Sequence, residues 1–163
     1  MISQIHYAAG SKAYIDGEIS KYADRRLQPV ESIDTADKYE IYDLSDKNNV
    51  LGDSIDLIID YAVGNDEFKG VVHYQAFDLS KKRDQSVAKA IRDALDNAYN
   101  DPDSGFVNGY LAHRKDHPLT IIMLSIWQSE EALDKWLQSD AYTTLKQFTN
   151  QRIRNFTETF KTI

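Results

Sequence analysis

Residues 119–145, LTIIMLSIWQSEEALDKWLQSDAYTTL, contain the pattern that decides the fold. The apolar run at residues 121–127 is hydrophobic on both alternating faces, which predicts a strand covered on both sides. Ser129 follows as a helix N-cap, because its hydroxyl can accept a free backbone N–H. Apolar residues then recur at the spacing of one helix face, at Leu133, Trp136 and Leu137. A buried strand that feeds a Trp-bearing helix is expected to wall an aromatic-lined pocket in a small α+β protein.

The predicted helices and strands of the second half of the chain follow a known order. A second short helix is expected to begin at Ser139 and Asp140, with Tyr142 and Leu145 inward. The other predicted elements are a strand at 71–79, a helix at 84–99, a hairpin of strands at 106–113 and 119–127, and a final strand at 155–162. The order βαββα with a closing strand is ferredoxin-like.

The first half predicts a similar, shorter set of elements. These are strands at 2–7, 27–32 and 39–42, a helix at 12–22, and a helix at 54–62. The last helix is inferred from helical spacing of apolar residues, at Ile55, Ile58, Ile59 and Ala62. Residues 63–65 (Val-Gly-Asn) end it, so we expect an N-terminal α+β unit over 1–65 and a ferredoxin-fold domain over 66–163.

Composition narrows the classes of partner. The 163 residues include 26 acidic and 19 basic side chains, for a net charge of −7. No cluster of Lys or Arg stands out, which argues against nucleic acid and anionic membranes as partners. Cysteine is absent, and we expect no metal site. Residues 1–15 have no signal-peptide core, and no apolar run reaches transmembrane length, so a cytoplasmic protein is expected.

Two strings carry a family resemblance. IWQSEEALDKWLQSDAY at 126–142 and VVHYQAFDLSKK at 71–82 resemble the antibiotic biosynthesis monooxygenase (ABM) family of dimeric α+β barrels, in particular its haem-degrading branch. The resemblance covers residues 70–163. The N-terminal part is similar, more weakly, to the extension of a longer single-chain subgroup that includes a haem monooxygenase and the signalling protein TRAP.

The resemblance implies an architecture and an oligomeric state. ABM domains normally pair to close a barrel, and here the N-terminal half would substitute for the second subunit. The expected fold is therefore ferredoxin-like, of the dimeric α+β barrel type, with the first half completing a pseudo-dimeric barrel. Such a chain is expected to be a monomer or a weak homodimer.

The expected site lies on one face of the strand at 71–79, where His73, Gln75 and Phe77 alternate with residues of the other face. The resemblance places Gln75 at the position of an Asn that orients the iron-bound ligand in the haem-degrading relatives. It places Trp136 at a helical Trp that crowds the haem. Gln75 could instead face solvent or cap a strand, and Trp136 could be a core residue only. Tyr142, with Tyr74 and Tyr110, could line a pocket or sit in half-buried strands.

Lys146 departs from the family pattern. In the haem-degrading relatives the matching residue, six positions after Asp140, is the His that ligates iron. A protonated ammonium is not an iron ligand, so we expect no haem cofactor, although His73 could ligate from the opposite side. Lys146 could pair with a carboxylate of a ligand.

Three functions remain open. The first is an ABM-type monooxygenase acting on a small planar aromatic or tetrapyrrole ligand, with Gln75 and Trp136 as the catalytic candidates and His73, Phe77, Tyr142 and Lys146 contacting the ligand. The second is haem degradation, against which Lys146 counts. The third is a non-catalytic, TRAP-like module for signalling or ligand sensing, because a shared fold does not specify a function.

Overall fold

The structure, a computed structural model, describes residues 1–79, 85–149 and 154–163. Its strands are β1 Gln4–Gly10, β2 Leu27–Ser32, β3 Tyr39–Asp43, β4 Ile55–Val63, β5 Val71–Asp78, β6 Phe106–Arg114, β7 Thr120–Trp127 and β8 Arg154–Thr162. Its helices are α1 Lys12–Lys21, α2 Gln85–Asn100, α3 Glu130–Leu137 and α4 Asp140–Lys146, followed by a 3₁₀ turn at Gln147–Thr149. Asp84, at the predicted start of α2, lies outside the described residues. None of the described helices is long and apolar enough to cross a membrane.

The eight strands form one closed barrel in the order β1-β3-β2-β8-β5-β7-β6-β4. Both halves of the chain use the same internal arrangement. In the second half the order is β8-β5-β7-β6, and in the first half it is β4-β1-β3-β2. The halves join through antiparallel pairing of β2 with β8 and of β4 with β6. The predicted pseudo-dimeric, ferredoxin-like barrel is therefore confirmed.

Within the part of the chain that the structure describes, three apolar clusters stabilise this arrangement. The barrel interior is filled by side chains from both halves, for example Tyr42, Leu57, Tyr110 and Phe160. A second cluster lies between the outer face of the second-half sheet and helices α2, α3 and α4. A smaller third cluster packs α1 against the first-half sheet. The first half has a loop between β3 and β4 where the second half has α3 and α4. Among the described residues, the second-half sheet is therefore covered by three helices and the first-half sheet by α1.

The predicted helix at 54–62 is wrong, because this segment is β4. It pairs with β1 at one edge and β6 at the other, with a bulge between Ile59 and Tyr61. Before the bulge Leu57 and Ile59 point into the barrel, and after it Ala62 does, while Tyr61 packs on the helix-side cluster. The extra residue of a bulge shifts the strand's alternation by one. Ile55, Ile59 and Ala62 therefore all face the barrel interior, at a spacing that resembles one face of a helix.

Candidate functional site

Strand β5 is the platform of the candidate site. It lies between β8 and β7 in the second-half sheet. Val72 and Tyr74 point into the barrel, whereas Val71 and Phe77 pack against the helices. The predicted face is thus the helix-covered face, and Gln75 on it is fully buried.

Two short helices cover this face. Ser129 caps α3, as the sequence predicts, by accepting a hydrogen bond from the backbone N–H of Ala132 at 3.1 Å. Helix α4 begins at Asp140 as expected, but the Ser139 side chain does not cap it. The Ser139 hydroxyl instead donates to the carbonyl of Trp136 at 2.6 Å. This bond ties the start of α4 to the end of α3 and fixes the turn that brings Tyr142 over β5.

Gln75 and Tyr142 form a buried hydrogen-bonded pair. The Gln75 Nε2 donates to the Tyr142 hydroxyl at 2.9 Å, and that hydroxyl lies 3.2 Å from Gln75 Oε1, to which it can donate. Burial raises the pKa of the Tyr142 phenol, while the Gln75 bond acts in the opposite direction. The amide of Gln75 therefore already binds a neutral phenol hydroxyl. A phenolic ligand would present the same group to this amide.

An aromatic row continues from Tyr142. Its ring centroid is 4.9 Å from that of Trp136, which is 5.0 Å from Trp127. Trp127 donates from Nε1 to the buried hydroxyl of Ser125 at 2.9 Å. Trp136, by contrast, has a buried Nε1 for which the described residues supply no hydrogen-bond partner. Since buried donors are nearly always satisfied, this N–H marks a place where a ligand acceptor could bind.

His73 lies on the same face of β5, two residues before Gln75, and is also buried. Its Nδ1 is 3.1 Å from Thr159 Oγ1, directly across the β5–β8 pair. Its Nε2 is buried, and none of the residues that the structure describes hydrogen-bonds to it. Burial lowers the pKa of His73 to about 4, although the nearby Asp34 carboxylate acts to raise it. The imidazole is therefore neutral at pH 7 and available as a hydrogen-bonding group.

The remaining two predicted site residues take different places. Phe77 is fully buried in the helix-side cluster, farther along β5. Lys146 lies in the last turn of α4, and its side chain is exposed. The structure thus brings Gln75, Tyr142 and Trp136 into one contact group with Phe77 in the surrounding cluster, and leaves Lys146 outside it.

A cavity of about 120 Å³ lies beside Trp136, between the end of α2 and the α3–α4 turn. Its lining includes Asn97, Ala98, Lys135, Ser139 and Ala141. Pockets for drug-sized ligands run to about 300–1,000 Å³, so this space accepts only part of a small ring system unless α4 moves. Haem does not fit the site as it stands, because the cavity is too small and Lys146 offers an exposed ammonium where an axial imidazole is needed.

Several contributors to the site could not be read from sequence spacing. Lys135 and Asn97 line the cavity from two helices, and Asp34 reaches the site from the first half, where its carboxylate accepts from the Thr159 N–H at 2.7 Å. Tyr74 and Tyr110 face the barrel interior and not this site. Within residues 1–79, 85–149 and 154–163, no three His, Asp or Glu side chains are grouped closely enough to hold a metal ion.

Comparison with known families agrees with this geometry. The family model described as antibiotic biosynthesis monooxygenase matches residues 83–147. The resemblance to the ABM superfamily is confirmed. The matched segment contains α2 to α4, and so Trp136 and Tyr142, but it begins after β5 and does not include His73 or Gln75. No curated protein sequence matches the chain.

Solved structures share the whole ABM-like fold at low identity. A major regulator of staphylococcal pathogenesis is 14% identical, with 99% of this chain and 100% of that chain covered and a TM-score of 0.82. A monooxygenase-like protein from Listeria innocua is 11% identical, with coverages of 99% and 94% and a TM-score of 0.81. A haem-degrading enzyme from Listeria monocytogenes is 14% identical, with coverages of 95% and 97% and a TM-score of 0.63. At these identities the likeness concerns the fold.

Proposed function

We propose that this ABM-type chain is a cofactor-independent monooxygenase for a small planar phenol. The ring would lie beside Trp136, and the phenolic hydroxyl would replace that of Tyr142 on the Gln75 amide. The observation that carries the proposal is the buried Gln75–Tyr142 pair next to an unpartnered Trp136 Nε1. Gln75 already holds the phenol oxygen of Tyr142, so its amide is positioned to bind that functional group.

Displacement of Tyr142 is physically reasonable. Its side chain is held by one pair of hydrogen bonds and by the ring of Trp136, and it sits on a helix of only seven residues. A hydrogen bond between neutral groups contributes only about 1 kcal/mol net. An outward shift of α4 would enlarge the 120 Å³ cavity toward Gln75. It would also uncover Leu145, which is fully buried, so apolar contacts of the bound ring with Trp136 would have to offset that loss.

The chemistry assigned to the protein is orientation and exclusion of water. A phenol with an activated methylene supplies its own electrons: the methylene loses two hydrogens and gains one oxygen atom of O₂, and the other oxygen leaves as water. Gln75 would hold the phenol oxygen. The neutral His73 would offer its unpartnered Nε2 to a second polar group of the substrate.

Two functions compete with this proposal. Haem degradation is disfavoured by the exposed Lys146 and the small cavity. A non-catalytic sensing role would use the same phenol site, with the shift of α4 as the signal. The likeness to the staphylococcal regulator in fold is compatible with that role, so the decisive experiment must separate binding from turnover.

The test combines binding with oxygen consumption. Under nitrogen, 1-naphthol should bind with one-to-one stoichiometry in a calorimeter, and Trp136→Phe should weaken that binding. In air, a hydroxylated anthrone should then be converted to the quinone with one O₂ consumed per substrate, faster than in buffer alone. Binding without oxygen uptake would leave a sensing module, and no binding would reject the phenol site.

Haemin serves as the control ligand. Titration of the protein with haemin should give no sharp Soret shift, because no axial imidazole stands at position 146. A stoichiometric Soret shift that bleaches when ascorbate is added in air would restore haem degradation and contradict the proposal.

A further inference from the structure

A second, larger cavity lies inside one end of the barrel. Its volume is about 330 Å³, within the range of small-molecule pockets, about 300–1,000 Å³. Seven of the eight strands contribute to its wall. The residues that matter for its chemistry are Tyr7, Glu40, Tyr74, Arg114, Phe156 and Glu158. It is lined from both halves of the chain and shares no residue with the cavity beside Trp136.

We infer that this barrel-end cavity binds a small organic ammonium ion of the arylalkylamine type, with Glu40 as its counter-ion. The inference does not depend on the proposed oxygenase activity, because the cavity is on the opposite face of β5 from Gln75.

Among the described charged groups around the cavity, Glu40 is the one without an ion-pair partner. Glu158 accepts from the Lys38 ammonium at 2.6 Å and from the Ser32 hydroxyl at 2.6 Å. Arg114 forms a two-pronged ion pair with Asp116, at 3.0 and 2.8 Å. In both pairs the cation and the carboxylate are each already matched by a charge-assisted hydrogen bond.

Glu40 is 7% exposed, and its hydrogen bond from the Tyr42 hydroxyl is long, at 3.4 Å. In the part of the chain that the structure describes, no basic side chain lies within ion-pair distance of it. A buried carboxylate without a cation is costly. A ligand cation in the cavity would remove that cost.

A hydroxyl pair supplies a second polar contact. The Tyr7 and Tyr74 oxygens are 2.6 Å apart, and either can donate to the other. Two phenols carry two hydrogens, and the bond between them uses one, so one O–H remains to donate into the cavity. An amine with a hydroxyl or ether oxygen could use it.

Aromatic rings supply the apolar contact and favour a cation over an anion. Phe156 is 52% exposed at the cavity, and Phe160 is buried beside it. The Lys38 Nζ already lies 5.9 and 6.0 Å from the centroids of these two rings, which shows that ring faces here accept a positive charge. An anionic ligand would meet the unpaired Glu40 with both cations already paired.

The ionisation of Glu40 makes the expected binding depend on pH. Burial raises the pKa of Glu40 to about 7; Lys38 acts to lower it, and the Glu158 carboxylate acts to raise it. The other titratable groups that interact with it are the phenols of Tyr7, Tyr42 and Tyr74, and burial raises the pKa of each of them, so they stay neutral. Ammonium affinity should therefore rise between pH 6 and pH 8, by up to roughly tenfold, as Glu40 becomes charged.

The test compares 2-phenylethylamine with its neutral analogue 2-phenylethanol, by calorimetry on the full chain. The amine should bind about tenfold or more tightly than the alcohol at pH 8, because it makes a charge-assisted bond. Amide chemical shifts should change at Glu40 and Tyr74. Glu40→Gln should abolish both the preference for the amine and its pH dependence.

The control is Glu31→Gln, which changes a part-buried carboxylate on β2 that does not line the cavity and should leave amine binding as in the wild type. Tyr142→Phe should also leave it unchanged, which separates this site from the phenol site. Equal binding of amine and alcohol by the wild-type protein, or an undiminished affinity in a folded Glu40→Gln variant, would overturn the inference. The comparison of amine with alcohol on the wild-type protein tests the inference even if the Glu40→Gln variant fails to fold.

Discussion

Burial keeps the His73 imidazole neutral, and the free energy of unfolding therefore falls in acid. Its pKa in the folded protein is about 4, against 6.5 for a free imidazole, chiefly because it is buried. Between these values the unfolded chain binds a proton that the folded chain does not. The stability that depends on this group is therefore present above pH 6.5 and is lost as the pH falls toward 4.

We expect His73→Gln to remove this acid sensitivity. Between pH 7 and pH 5 the wild-type protein should lose about 2 kcal/mol of unfolding free energy through this residue, and the variant should not. Urea unfolding at the two pH values measures the difference. His117→Gln, at an exposed position, is the matched control. Equal pH dependence in wild type and His73→Gln would contradict the assigned burial.

Strand alternation was enough to place His73, Gln75 and Phe77 on one face, because β5 is regular over its whole length. The alternation could not predict which residues hydrogen-bond to these side chains. Tyr142 is 67 residues from Gln75 along the chain, and Thr159 meets His73 only because β8 closes the sheet against β5. Such contacts depend on strand order and helix placement, which local spacing does not encode.

At the scale of elements, the start of β5 depends on a glycine. Gly70 has φ +131°, and an added Cβ would lie 2.2 Å from the carbonyl oxygen of Trp127. Gly70 also accepts a hydrogen bond from the Thr162 N–H at 2.9 Å. The residue therefore lets β5 begin tightly against the ends of β7 and β8.

Gly70→Ala should destabilise the protein by roughly 1–3 kcal/mol or more, because it combines a strained backbone with a clash against backbone atoms. Gly52→Ala is the matched control, since no atom lies within 4 Å of its added Cβ. Thermal unfolding of both variants checks this. A Gly70→Ala protein as stable as Gly52→Ala would show that the β5 start is not packed as described.

The elements that the sequence predicted well are those whose apolar pattern is undisturbed. Helix α2 buries one continuous face, from Val87 to Ala98, and β7 is apolar and buried on both faces from Ile121 to Leu124. The prediction was wrong for β4 because a single bulge shifts the alternation of its inward and outward side chains. A bulge depends on how two strands pair, and a single sequence does not show that pairing. Ser129 behaved as a cap while Ser139 did not, because Ser139 bonds back to Trp136.

At the scale of the whole molecule, closure of the barrel makes each half depend on the other. An isolated second half would expose the edges of β6 and β8, which pair with β4 and β2 in the full chain. It would also expose the apolar inner face of its sheet. Exposed edges and apolar faces drive self-association.

Residues 66–163 alone should therefore form a homodimer or aggregate, with β6 of one copy pairing with β8 of the other. The full chain, whose sheet has no free edge, should be a monomer. Light scattering after size exclusion distinguishes these states. A folded monomer of residues 66–163 would show that the first half is an accessory domain and not a pseudo-subunit.

The central claim is that Gln75 binds a substrate phenol in place of the phenol of Tyr142. Two variants test it, because they should change the affinity for 1-naphthol in opposite directions. Tyr142→Phe removes the competing hydroxyl and should tighten the binding of 1-naphthol, whereas Gln75→Leu removes the receiving amide and should weaken it, each by about fivefold for a hydrogen bond of about 1 kcal/mol. Tyr99→Phe, at an exposed tyrosine, should leave the dissociation constant unchanged. Calorimetric titration under nitrogen gives all three values. Opposite changes for Tyr142→Phe and Gln75→Leu are the expected result, and weaker binding in both variants, or no change in either, would contradict the claim.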